Sequence, residues 1–164
     1  MRILGVDPGL AQTGWGVIDL DGHRYRPVSF GVIRTKTTTT LENRIISIAS
    51  DIGLIAKENA INVVSMEDIF FAKNVSSAIN VAKVIGAIMQ QLNLLNIEVN
   101  LFTPLQIKMA VTGYGTAEKF QVQEMVRLLL KLEQIPKPDH ASDALAAAIC
   151  YASTKATTNR FRRN

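Results

Sequence analysis

Two short apolar runs in this chain each end in a carboxylate, and a fold that buries both runs must bring those carboxylates to the rim of its core. Ile3-Leu4-Gly5-Val6 leads into Asp7, followed at once by Pro8-Gly9, and Val63-Val64-Ser65-Met66 leads into Glu67. Apolar runs of this length, closed by turn residues, read as buried strands. An ionised carboxylate beside a low-dielectric interior is costly unless another charge compensates it. A third acid, Asp143, stands three residues after His140 at the start of an alanine-rich helical stretch. Several carboxylates delivered from separate elements imply a divalent metal as the compensation, and so a nuclease-type site.

The remaining pattern supplies a frame for these residues. Gly14–Leu20 and Tyr25–Thr35 alternate apolar and polar side chains around the turn Asp21-Gly22-His23, which with Arg2–Asp7 predicts a three-stranded meander. Leu41, Ile45, Ile48, Ile52 and Ile55 recur at helical spacing, with Thr39 and Glu42 as a capping box. Asn62–Glu67 reads as a strand, Val75–Leu95 as a long apolar helix and Ile97–Phe102 as a fifth strand. Thr103-Pro104 with Gln106 opens a helix to about Val111 that the Gly113-Tyr114-Gly115 loop ends. Ala117–Leu132 and His140–Ser153 are the last two helices, with Asp139 as the N-cap of the second. Three antiparallel strands followed by strand–helix alternation predict an α/β fold with one mixed five-stranded sheet flanked by helices.

With 164 residues, 48% of them hydrophobic, the chain suits one compact domain, set here at residues 1–153 with a basic tail over 154–164. The net charge of +4 resides in that tail, through Lys155, Arg160, Arg162 and Arg163. Such a tail is either a solvated terminus or a source of phosphate contacts. The most apolar stretch, Asn80–Leu95, is interrupted by Lys83, Gln90, Gln91 and Asn93, so no membrane span is expected. Met1-Arg2 leads directly into a strand, and the single cysteine, Cys150, reads as a core side chain. A cytoplasmic protein without disulfides is the expectation.

Each acid has an ordinary reading of its own. Asp-Pro-Gly is a common turn, a strand can end on a solvated glutamate, and an early-helix aspartate is favoured by the helix dipole. Together they say more. The first and fourth strands would be neighbours with both carboxylates at their carboxyl ends, where α/β sheets collect their sites. His140 and Asp143 share one helix face and can share a ligand, while His23 lies in the hairpin turn and faces solvent. Hard divalent ions take oxygen ligands, and a pair of them suits phosphodiester hydrolysis. His140 could serve as a ligand or accept a proton from the attacking water.

At this point the residues resemble a family. Val6-Asp7-Pro8-Gly9 with Thr13-Gly14-Trp15-Gly16-Val17, Glu67 followed by Phe70 and Ala72-Lys73-Asn74, Thr112-Gly113-Tyr114-Gly115, and Asp143-Ala144-Leu145-Ala146-Ala147-Ala148 are similar to the RuvC family of bacterial Holliday-junction resolvases. The likeness runs in order from Arg2 to about Tyr151. It implies an RNase H-like fold, a homodimer, and Mg²⁺- or Mn²⁺-dependent cutting of two like-polarity strands at a four-way DNA junction, with two ions per site. It implies catalytic and metal-binding roles for Asp7, Glu67, His140 and Asp143. Many members carry an acid where this chain has His140. The resemblance further implies DNA contacts by Phe70, its neighbour Phe71, Lys73, Lys108 and Lys119, and partnership with the RuvA–RuvB branch-migration proteins.

Three rivals are weaker. A phosphate-binding ATPase of the actin and sugar-kinase type would need a second domain and a second phosphate loop, for which the chain has no room. A YqgF-type nuclease acting on RNA would share Asp7 but not the aromatic loop after Glu67. A non-catalytic junction binder would require His140 to have destroyed the metal site.

Overall fold

In the computed structural model, which describes residues 1–69 and 75–161, the first three strands form the expected meander. They are β1 (Arg2–Asp7), β2 (Gln12–Asp21) and β3 (Arg24–Arg34), paired antiparallel. Two further strands, β4 (Val63–Glu67) and β5 (Glu98–Phe102), add in parallel on the other side of β1, giving the order β3-β2-β1-β4-β5. Parallel neighbours need a crossover, supplied here by helices. Helix α1 (Leu41–Glu58) precedes β4 and α2 (Val75–Leu94) precedes β5. Helices α3 (Pro104–Thr112), α4 (Lys119–Leu129) and α5 (Asp139–Phe161) complete the chain.

Side-chain alternation sends the sheet's apolar residues into two cores. Leu4, Val6, Val64 and Met66 pack on one face with Ile48 and Ile52 of α1 and Val84 and Ile88 of α2. Ile3 and Val63 pack on the other with Leu145 and Ile149 of α5, Ile107 of α3 and Val126 of α4. A fully buried leucine or isoleucine contributes roughly 1.5–3 kcal/mol, so these two layers supply most of the folding drive. β3 remains an exposed edge. It carries Arg24, Arg26, Pro27 and Arg34, and its pairing with β2 shifts register between Val17 and Ile18.

Several boundaries differ from the sequence reading. Strand β2 runs beyond its alternating segment, from Gln12 to Asp21, and β3 runs from Arg24 to Arg34, one residue earlier at each end than its pattern. Thr40, not Thr39, caps α1, accepting a bond from the Asn43 N–H. Helix α4 starts at Lys119 rather than Ala117, since Glu118 is its N-cap and Gln121 reaches back to the Glu118 N–H at 2.8 Å. It ends by Leu130, and Lys131 turns away with a φ of 54°. Helix α5 continues without a break past residue 153 to Phe161. The Thr103–Gln106 capping box opens α3 as read, and Gly113, at φ 85°, closes it.

The fold's tightest contact is between α5 and the sheet. Facing α5, β1 presents Gly5, β2 presents Gly14 and β4 presents Ser65, whose hydroxyl donates to the Ala147 carbonyl at 2.6 Å. A Cβ on Gly5 would fall 1.8 Å from the Ala144 carbonyl oxygen, and one on Gly14 would fall 1.9 Å from that of His140. Only residues without side chains allow this approach of backbone to backbone. Gly5→Ala is therefore expected to cost about 3 kcal/mol through forced displacement of α5. A wild-type midpoint in urea denaturation of this variant would show that the helix has room to yield.

Candidate active site

The close seating of α5 carries its first turn over the carboxyl ends of β1 and β4. Asp7 and Glu67 are the last residues of those strands, on the face that carries Ile3 and Val63, and they point toward the helix. His140 and Asp143 come down from α5 to meet them. The Nδ1 of His140 lies 2.7 Å from the Asp7 Oδ2. Asp7, His140 and Asp143 each offer a ligand atom, and all three atoms lie within 4.8 Å of one another. Glu67 lines the same cavity, of about 360 Å³, with Lys108 and Lys119 on the opposite wall.

Electrostatics in this cavity are out of balance. Burial pushes the Glu67 carboxyl up to about 7, helped by the charges of Asp7 and Asp143. Burial and Asp7 also raise Asp143, against the pull of Lys119. The hydrogen bond to Asp7 raises His140 above its ordinary value, against the effect of its own burial. A cation in contact with the group is Lys119, whose Nζ lies 3.2 Å from Asp143 and 3.4 Å from Asp139. Burial acts to lower Lys119, but these two acids together outweigh it and hold the ammonium above its usual range. Lys119 is about half exposed, so these ion pairs add little stability and cost little to break. Three carboxylates and an imidazole facing one cavity, two of the carboxyls pushed upward by burial, fit a divalent cation.

Asp139 departs from its expected role as an N-cap. It lies inside the first turn of α5, and its carboxylate pairs with Lys119. Lys108 reaches the cavity from α3, a short helix held in place by its capping box. Phe70, Phe71 and Lys73 lie outside the described residues. His23 is solvent-exposed as expected. Cys150 is buried, its thiol pushed up to about 11 by burial, which accords with a core role. Gly5, Gly14 and Ser65 were not flagged as site-forming residues in the sequence. Their only trace there is small residues within otherwise bulky strands.

Residues 3–151 match the family model described as crossover junction endodeoxyribonuclease RuvC. The chain belongs to the RuvC family. It is 43% identical over 156 residues to the crossover junction endodeoxyribonuclease RuvC of Brevibacillus brevis, covering 95% of this chain and 94% of that one. It is 42% identical over 161 residues to that of Desulfitobacterium hafniense, covering 98% of each. Among solved structures it is similar to Thermus thermophilus RuvC in complex with Holliday junction substrate, with a TM-score of 0.92, 29% identity and 96% of each chain covered. The yeast mitochondrial Holliday junction resolvase shares the fold at a TM-score of 0.67 and 11% identity. The mixed five-stranded sheet flanked by helices is thus the RNase H-like arrangement of such resolvases.

The raised Glu67 value has a consequence for stability. A carboxyl that holds its proton more tightly when folded favours the fold at acid pH, and that contribution is lost as the pH rises from about 4.5 to about 7. In metal-free buffer at pH 8, Glu67→Gln should melt roughly 5 °C above the wild type, with the gap closing near pH 4. Equal melting temperatures at pH 8 would mean that Glu67 is solvated.

Proposed function

We propose that this protein resolves four-way (Holliday) DNA junctions in homologous recombination and DNA repair, as a structure-specific endodeoxyribonuclease that nicks two opposed strands by metal-dependent hydrolysis. The observation that carries this reading is the convergence of Asp7, Glu67, His140 and Asp143 on one cavity in a chain of the RuvC family. Its Thermus thermophilus relative is described in complex with Holliday junction substrate.

Asp7, Glu67 and Asp143 would hold the cation through oxygen, and His140 could contribute nitrogen. Mg²⁺, with Mn²⁺ as an alternative and two ions as the expected number, would supply Lewis-acid activation of water and positive charge for the phosphodiester hydrolysis. The chain's own residues prepare the rest. With Nδ1 as the donor in its 2.7 Å contact with the Asp7 Oδ2, His140 takes the tautomer that carries the proton on that nitrogen. Nε2 then keeps its lone pair, free to ligate or to accept a proton from the attacking water. Glu67, pushed up to about 7, must give up its proton before it can ligate, so loading would weaken as the pH falls through neutrality. Lys108 and Lys119 face the carboxylates and are placed to take the scissile phosphate's outer oxygens. Phe70, Phe71 and Lys73 complete the proposed contacts with the junction.

A homodimer fits this reading, because two opposed strands need two sites related by a two-fold axis. Helix α2 has a face suited to it. Val75, Ile79, Ala82, Gly86 and Met89 are exposed at helical spacing, and a Cβ on Gly86 would meet nothing within 4 Å. A mid-helix glycine costs about 1 kcal/mol relative to alanine, and nothing within the described residues requires one there. A second copy of the helix would. RuvA–RuvB as partners and the cytoplasm as the site of action belong to the same reading. Among the described residues, no helix is long and apolar enough to cross a membrane.

The protein should place paired nicks in a labelled mobile four-way junction with Mg²⁺, leave linear duplex and RNA–DNA hybrid intact, and lose all cutting in EDTA. Asp7→Asn should cut at least about a thousandfold more slowly, as expected when charge stabilisation at the reacting phosphate is lost. Tight junction binding without cutting would favour a non-catalytic binder, and cutting of the hybrid would favour an RNA-directed enzyme. Ile79→Lys should sediment as a monomer and leave mostly single nicks; an undisturbed dimer would remove α2 from the interface.

A further inference from the structure

A second cavity, of about 490 Å³, adjoins the first across the imidazole of His140. It lies between the β1–β2 loop and the first turns of α2, and its polar lining comes from Gln12, Arg44, Ser76, Ser77, Asn80 and His140. The first cavity gathers three carboxylates, whereas among the described residues this one has no acid in its lining and one permanent cation. A third cavity, of about 210 Å³, shares Asp7 and Glu67 with the first and Ser77 and Val81 with the second. The three cavities thus share lining residues around the carboxylates.

Arg44 is held firmly but is not neutralised. Its Nε donates to the Thr35 hydroxyl at 2.8 Å, that hydroxyl donates to the Leu10 carbonyl at 2.6 Å, and Nη2 reaches the same carbonyl at 3.4 Å. Both partners are neutral, and among the described residues no carboxylate pairs with Arg44. A guanidinium has five N–H groups, so three remain for a ligand. Its planar fork suits phosphate oxygens better than any other side chain does. A single DNA strand carries a phosphate at every step, so one phosphate over the carboxylates places others on both sides. Among the described residues, Lys108 and Lys119 bring positive charge to the first cavity and Arg44 brings it to the second.

We propose that this second cavity is a phosphate subsite for the cleaved strand, in which Arg44 grips a phosphate flanking the scissile one. The inference rests on the junction-cutting reading and assigns Arg44 a positioning role, with no part in bond breaking. The bond network to Leu10 then links strand binding to the loop that begins at Asp7.

The test compares junction binding in EDTA for the wild type, Arg44→Gln and Ser76→Asp over a range of salt concentrations. Arg44→Gln should bind about tenfold more weakly, by the same factor on junctions of different sequence, and its plot of log affinity against log salt should be shallower by about one unit. Ser76→Asp places an acid in the cavity at the first turn of an exposed helix, where a negative charge favours the helix. It should therefore melt no lower than the wild type yet bind about tenfold more weakly. An unchanged salt slope in a folded Arg44→Gln protein would overturn the proposal and leave Arg44 as a brace for the loop. Should Arg44→Gln fail to fold, wild-type binding by Ser76→Asp would overturn it equally. If the wild type itself does not bind the junction, the junction-cutting reading fails, and the subsite falls with it.

Discussion

The approach of α5 to the sheet, backbone against backbone, is the constraint on which the rest of the molecule depends. Gly5 and Gly14 on the strands leave no side chain against the backbone of α5, and the one hydroxyl of Ser65 is taken up by the Ala147 carbonyl. Packing at this distance fixes the helix along its axis as well as across it, because a protein interior resists small displacements as an organic crystal does. His140 and Asp143 therefore meet Asp7 and Glu67 without any loop to hold them. The fold gives up side-chain volume at the centre of its sheet and gains a rigid geometry at the rim.

That geometry concentrates negative charge beside an apolar core, and the protein without its metal bears the cost. Burial pushes Glu67 and Asp143 upward, the hydrogen bond to Asp7 pushes His140 upward, and Lys119 pairs with Asp143. None of these arrangements is a strong bond. Each is the cheapest local answer to an unmet charge, and each can be exchanged when a cation and a phosphate arrive. Stability and activity draw in opposite directions here, as is common where a site is assembled ahead of its ligand.

Much of this could be read in the sequence because the strands that carry the acids are almost wholly apolar. A run such as Val63–Met66 can only be buried, so the position of Glu67 at its end followed, and the parallel pairing of β1 with β4 put Asp7 beside it. The His140–Asp143 pair was legible as one helix face. The errors fell where local chemistry offered near-equal choices. Thr39 and Thr40 are both competent caps, and Ala117 continues the apolar period of α4 although Glu118 caps it. Asp139 had the residue type and position of an N-cap, but a lysine twenty positions earlier in the chain claimed its carboxylate. Arg44 was invisible for a related reason. It occupies the polar side of an amphipathic helix, and only the fold shows that this side faces a groove.

The edge strand β3 decides how copies of this molecule can meet. The open outer side of an eleven-residue edge strand would ordinarily invite another strand, but Pro27 lacks a donor, the arginines at positions 24, 26 and 34 repel their counterparts, and the shift in register twists the ribbon. Sheet extension from one molecule to the next is thereby discouraged. Any pairing between copies would then fall to helical surfaces, which close on themselves where an open strand edge would grow into fibres.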